Sequence, residues 1–196
     1  MSFNPDPTKQ ATEILFSCKK KVVHHPELFF NGTPVNRVTE HKHLGLILQP
    51  DLSFGKHLHE KMEKAKKNIG IIRHLRKFLP FKTLNQMYKS LVRSHLDYCD
   101  IIYHIPPVLS PPPLGLSLHS LMEKVQSIQY QAALAITGAW HGSSRNKLYE
   151  EIGWESLTDR RMSNRLLQIH KMLNGKTPSY ICEKLPPNRR NLINLS

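Results

Sequence analysis

The sequence predicts an α+β chain in which a few short N-terminal strands hand over to a mostly helical body. Three stretches predict it. Asn31-Gly32 stands between the apolar runs of LFFNGTPVNRV, residues 28–38, and this pair accepts the positive φ that a tight hairpin turn requires at both central positions. Residues 41–48, HKHLGLIL, are a further apolar run leading through a turn at 49–53 into a helix. From Phe54 the apolar residues Leu58, Met62, Ala65, Ile69, Ile72 and Leu75 follow at steps of three and four, the repeat of one amphipathic helix of about six turns.

Taken in order, residues 1–10 hold two prolines with Asn and Asp, which is loop chemistry. Residues 12–17, TEILFS, fit a short buried strand or a helical turn, and Lys19, Lys20 and Lys21 form a basic loop. Pro34 lacks a ladder donor and places the second hairpin arm at a sheet edge. A third strand is expected at 43–48, where Gly45 marks a bulge or a close approach to the backbone. Ser53 is the expected N-cap of the long helix. Pro80 ends that helix or opens the next, which spans 82–96 with Leu84, Met87, Tyr88, Leu91, Val92 and His95 on one face. The run DYCDIIYH, residues 97–104, packs at its end. Five prolines in the eleven residues 105–115 exclude a helix there.

The helical pattern resumes over 117–137 through Leu118, Leu121, Val125, Ile128, Ala132 and Ala135, and Gly138 closes it. Ser143 or Ser144 caps a short helix that Gly153 stops. A last helix spans 157–174, with Met162, Leu166, Ile169 and Leu173 on one face and Gly175 beyond it. The expected organisation is strands over 1–50, helices over 51–104, a proline-rich linker over 105–116, further helices over 117–185 and a flexible tail over 186–196. Residues 1–50 are expected to be the less stable part, because strands without partners leave an open edge.

With 28 Lys and Arg against 15 Asp and Glu, the formal net charge is +13. Such an excess points to a polyanionic partner, nucleic acid before anionic membrane or acidic protein. The charge concentrates on the long helix, where residues 56–82 hold nine Lys and Arg and two Glu. At 100° per residue, Lys56, Glu60, Lys67 and His74 lie opposite the apolar stripe, flanked by Lys64, Lys66 and Lys77, with Arg73 nearby. A face of this kind neutralises phosphates; it also fits a plain solvated surface. Cys18, Cys99 and Cys182 are far apart and show no zinc spacing, so they read as free thiols in a reducing compartment. No secretory pattern and no run of about 18 apolar residues is present. The expected location is intracellular, cytoplasmic or nuclear, without a membrane partner.

Signatures of catalysis are lacking: no glycine-rich phosphate loop, GxSxG, HExxH or DxD occurs. Asp97 with Asp100 and Glu150 with Glu151 read as helix carboxylates rather than as a pair converging on two ions about 4 Å apart. The pairs His41/His43 and His57/His59 bring no third ligand, so no metal is expected in this chain.

Four blocks, FNPDPTKQATEILFS, LFFNGTPVNRVTEHKHLGLIL, YKSLVRSHLDYCDIIY and QYQAALAITGAWHGSSRNKLYEEIGWESLTDRR, occur in an order that resembles the C-terminal part of reverse transcriptases of jockey-like non-LTR retrotransposons. The resemblance covers residues 3–187. It implies that 1–50 are the end of a polymerase palm, 51–104 the thumb and 117–185 a helical extension. It implies further that Lys9 is an auxiliary proton donor near the incoming nucleotide and that His43, Leu44 and Gly45 are the primer grip. The partner it implies is RNA or an RNA–DNA template-primer, met through Lys56, Lys64, Lys66, Lys67, Arg73 and Lys77. His43 stands where many relatives have Tyr, Cys99 where a glycine is usual, and the proline run is longer than typical. The family's catalytic Y/F-A-D-D lies upstream of the block containing Lys9 and has no counterpart in this sequence. The chain by itself is therefore expected to be inactive and to take no small-molecule substrate, with Mg2+ belonging to the full-length enzyme. The alternative is a non-catalytic basic module that binds nucleic acid or protein.

Overall fold

The computed structural model describes residues 11–17, 25–103 and 114–183, the last stretch with its side chains from Ser120. The expectations for Lys9, Cys18, Lys19 to Lys21, the prolines up to Pro113 and the tail lie outside the described residues. Within them the chain is α+β, with short strands and mostly helix.

The strands form three separate pairs. β1 (Thr12–Glu13) runs parallel to β4 (Asn36–Arg37), and Arg37 Nε donates to Glu13 Oε1 at 2.6 Å. β2 (Phe29–Phe30) and β3 (Thr33–Pro34) are antiparallel across Asn31 and Gly32, whose φ values are 50° and 77°. β5 (His41–His43) and β6 (Leu46–Leu48) are likewise antiparallel, with His43 opposite Leu46. Two expectations are corrected. The strand expected over 12–17 ends at Glu13, and the chain is held beyond it by Ser17 N–H donating to Pro50 O at 2.9 Å. The run HLGLIL is not one strand: the chain reverses at Leu44-Gly45, so Gly45 is a turn residue and not a bulge.

Three helical segments build the main core. α1 (Gly55–Leu75) buries Leu58, Met62, Ala65, Ile69 and Ile72, so the stripe of three- and four-residue steps is the packed face. Ser53 is not its cap. Phe54 takes the cap position at φ 53°, and the Gln49 side chain reaches forward to accept from Lys56 N–H at 3.0 Å. The second segment comprises α2 (Phe81–Met87), a π-helical stretch over Tyr88–Arg93 and α3 (Ser94–Asp97). It buries Leu84, Tyr88, Val92 and Leu96. These residues are four apart, a spacing that drifts around a 3.6-residue helix; the wider π turn absorbs the drift and keeps one stripe inward. Leu91, expected on that face, is 38% exposed as a result. A turn at Tyr98 and Cys99 leads to α4 (Asp100–Tyr103), which buries Tyr103.

α5 (Leu114–Thr137) begins three residues inside the expected linker and packs along α1 through Val125, Ile128, Ala132 and Ala135. Gly55 at the start of α1 faces Leu121, and Arg76 just past its end faces Gly138, so α1 and α5 run in the same direction. The α2–α3 segment returns between them. Leu58, Ile72, Leu84, Val92, Ile128 and Ala132 thus belong to one core.

α6 (Arg145–Ile152), α7 (Leu157–Leu173) and α8 (Ser179–Cys182) complete the chain. Trp154 between α6 and α7 stacks on Tyr88 at 3.7 Å and donates to Asn85 Oδ1 at 2.9 Å. Gln126 accepts from Leu157 N–H at 3.1 Å and Gln129 donates to Glu155 O at 2.8 Å, so the buried amides of α5 fix that connection. The expected apolar face of α7 is not its packed face: Met162, Leu166 and Ile169 are exposed, while Leu157 and Arg161 are buried. Arg161 turns the helix by reaching inward to Leu96 O at 3.1 Å and over the Tyr103 ring.

Candidate nucleic-acid interface

The tip of the β5–β6 hairpin is the first part of the candidate site. Leu44 and Gly45 both have positive φ, 47° and 82°, the two-residue turn that matches strand twist. Nothing local in Leu44 favours that conformation. A residue far along the chain holds it instead: the Tyr98 hydroxyl donates to Leu44 O. Gly45 is required twice over, by its φ and because a Cβ there would stand 3.1 Å from Tyr98 Oη. The clamp leaves the Leu44 side chain 82% exposed, with His41 and His43 stacked beside it at 6.3 Å.

His57 is the second fastening. Its ring is fully buried against Tyr98 and Tyr103, and Nδ1 accepts from Ile47 N–H at 3.3 Å, tying β6 to the first turn of α1. Nε2 has no partner. Burial, and after it the charge of Lys61, holds the imidazole below its ordinary value of 6.5, with the Tyr98 backbone and then Glu60 opposing and Lys42 assisting. The unfolded chain takes up the proton first as pH falls, so stability present above about pH 6.5 is lost below it until the folded imidazole also titrates. His95, lowered by burial and by Lys61 and Lys64, acts in the same direction. Urea denaturation at about pH 7.5 and about pH 5.5 should show a lower midpoint in acid, with a smaller difference in His57→Asn. An equal difference in the variant would remove His57 as its source.

The basic face of α1 divides into two halves. Lys56 pairs with Glu40, Lys64 with Glu60 at 2.5 Å and Lys66 with Glu63 at 2.8 Å. Lys67, Arg73, Arg76, Lys77 and Lys82 have no ion pair among the described residues, and all five are exposed. The unopposed charge therefore lies toward the C-terminal end of α1.

That end meets residues the helix pattern did not single out. Arg73 and Arg76 line one open depression with Gly138, Ala139 and His141; Arg76 and Lys77 line a second with Phe81 and Thr137. Arg76 lies across Gly138, where φ is 74° and any Cβ would overlap the guanidinium. Three exposed rings flank the cations: Phe78 at 71%, Phe81 at 46% and Trp140 at 83%. Basic residues interleaved with aromatic ones were present in the sequence as RHLRKFLPFK and GAWHG, but only the parallel course of α1 and α5 joins them.

The carboxylates do not form a metal site. Asp97 accepts from Arg160 at 2.6 Å and Asp100 from Asn164 at 2.9 Å. Among the described residues no three His, Cys, Asp or Glu stand close enough to hold an ion. Cys99 is a free thiol, and the Cys182 thiol donates to Met172 O at 3.3 Å. Among the described residues no helix is long and apolar enough to cross a membrane.

No protein-family model, curated protein or solved structure matches this chain.

Proposed function

We propose that the chain is the C-terminal, non-catalytic part of an RNA-directed DNA polymerase of a non-LTR retrotransposon, and that it holds a template-primer without extending it alone. The observation that carries the reading is the exposed His43-Leu44-Gly45 tip, fastened by His57 and Tyr98 to the start of the basic helix α1. A primer grip joined to a thumb requires that arrangement. Two further observations support it. Cys99, where the resemblance puts a glycine, has φ 60°, in the region glycine favours. Leu28, Phe29 and Phe30 on the first hairpin are exposed, as strands taken from a larger apolar sheet would be. Protein binding by the helical extension is the second reading, favoured by the exposed Met162, Leu166, Leu167 and Ile169 of α7.

Gel-shift titration of an RNA–DNA hybrid at about 50 mM and about 200 mM salt tests the first reading. Binding should weaken by roughly two to three orders of magnitude between the two, as about five phosphate contacts would give. No binding even at the lower salt, or binding unchanged by Lys64→Glu, Lys67→Glu and Arg73→Glu together, would exclude it.

A further inference from the structure

We infer that the end of the helical body where α1 and α5 both terminate is a grip for an unpaired nucleic-acid strand. Arg73, Arg76 and Lys77 hold its phosphates, and bases stack on Trp140 and Phe78. This rests on the chain binding nucleic acid, but not on its descent from a polymerase.

Charge and aromatic residues come together here: Phe81 lines one depression with Arg76 and Lys77, Phe78 follows Lys77 in the chain, and Trp140 stands between Ala139 and His141, which line the other. The cations are free of carboxylates, and Arg76 lies between the two depressions and lines both. Cations at helix C-termini also complement the helix dipole, which accounts for Arg76 beside the last turn of α5. It does not account for three large rings left in water around them. Trp140 is the most exposed of these, and a Cβ on Gly142 would stand 3.4 Å from its Cδ1. An unpaired strand fits both features, since every base offers a face for stacking and every link a charge. A blunt duplex offers the charge alone, its bases being stacked on one another. An anionic membrane is the poorer partner: surface-lying helices present an apolar face along their length, whereas the apolar face of α1 is consumed by the core and the rings sit at its end and in the loop after α5.

The test compares binding of the full chain to a labelled single-stranded oligonucleotide, to a blunt RNA–DNA hybrid of equal length and to phosphatidylserine vesicles, by fluorescence anisotropy or co-sedimentation. Trp140→Ala and Phe78→Ala should each weaken single-strand binding by roughly five- to 150-fold, Trp140→Phe should retain most of it, and hybrid binding should change less than about twofold. Both side chains are exposed, so unchanged circular dichroism serves as the folding control. Equal losses on strand and hybrid, no loss on the strand, or a loss confined to vesicles would overturn the inference. A wild-type chain that binds hybrid but no single strand overturns it and leaves the template-primer reading standing. One that binds single strand through Trp140 but no hybrid does the reverse.

Discussion

Replacing Ile72 by alanine should lower the unfolding free energy by roughly 2–5 kcal/mol, the range for emptying a well-packed aliphatic site. Ile72 is fully buried and shares its core with Leu84 and Val92 on one side and Ala132 and Ala135 on the other. Small domains have about 5–15 kcal/mol in total, so one substitution would remove a large part of it. Because the residues before and after the proline run contribute to that one core, they should unfold together. Thermal melts followed by circular dichroism and, in a Trp140→Phe background, by fluorescence of Trp154, which lies after the proline run and stacks on Tyr88 before it, should coincide. Two separate transitions, only the earlier one shifted by Ile72→Ala, would show that residues 114–183 fold by themselves.

The second large effect concerns charge. Neutralising Arg73, Arg76 and Lys77 together to glutamine should reduce the slope of log affinity against log salt for a single strand by about two, since each phosphate contact there contributes about 0.7. The same change at Lys56, Lys64 and Lys66 should move the slope by less than about one, because those ammonium groups are already occupied by Glu40, Glu60 and Glu63. Equal changes from the two sets would mean that the ion pairs open on binding and that the whole length of α1 touches phosphate. Loss from the second set alone would place the contact at the hairpin end.

The core of α1 was legible in the sequence because it depends on local spacing alone, and each of Leu58, Met62, Ala65, Ile69 and Ile72 is buried. The Asn31-Gly32 turn was legible for the same reason, its conformation being set by the two residues themselves. Leu44-Gly45 was not, since the residue that enforces that turn is Tyr98, 54 positions away. The face of α7 was misassigned because an arginine took the inward position; Arg161 meets a carbonyl, a sulfur and an aromatic ring from three other elements, none of which a helical wheel contains, although its Nε has no hydrogen-bond partner. Among the candidate binding residues, spacing identified the cations but not which were already paired. Glu60 and Glu63 lie on the same helix and could have been matched by their four- and three-residue steps to Lys64 and Lys66 respectively. Glu40 could not, nor could His141, which joins Arg73 and Arg76 around one depression only through the packing of α5 on α1.

α1 is 21 residues long and is fixed at both ends, to the hairpin by His57 and to α5 by its packed face. Leu44 and the Arg76 end of the helical body are therefore held at a fixed separation, about 30 Å along the helix axis. On the proposed template-primer reading, a duplex strand touching both ends must bridge that gap, about nine nucleotides at 3.4 Å each. What the protein would discriminate is then length rather than base identity. Inserting or deleting a helical turn in α1 would change the measure without touching either end.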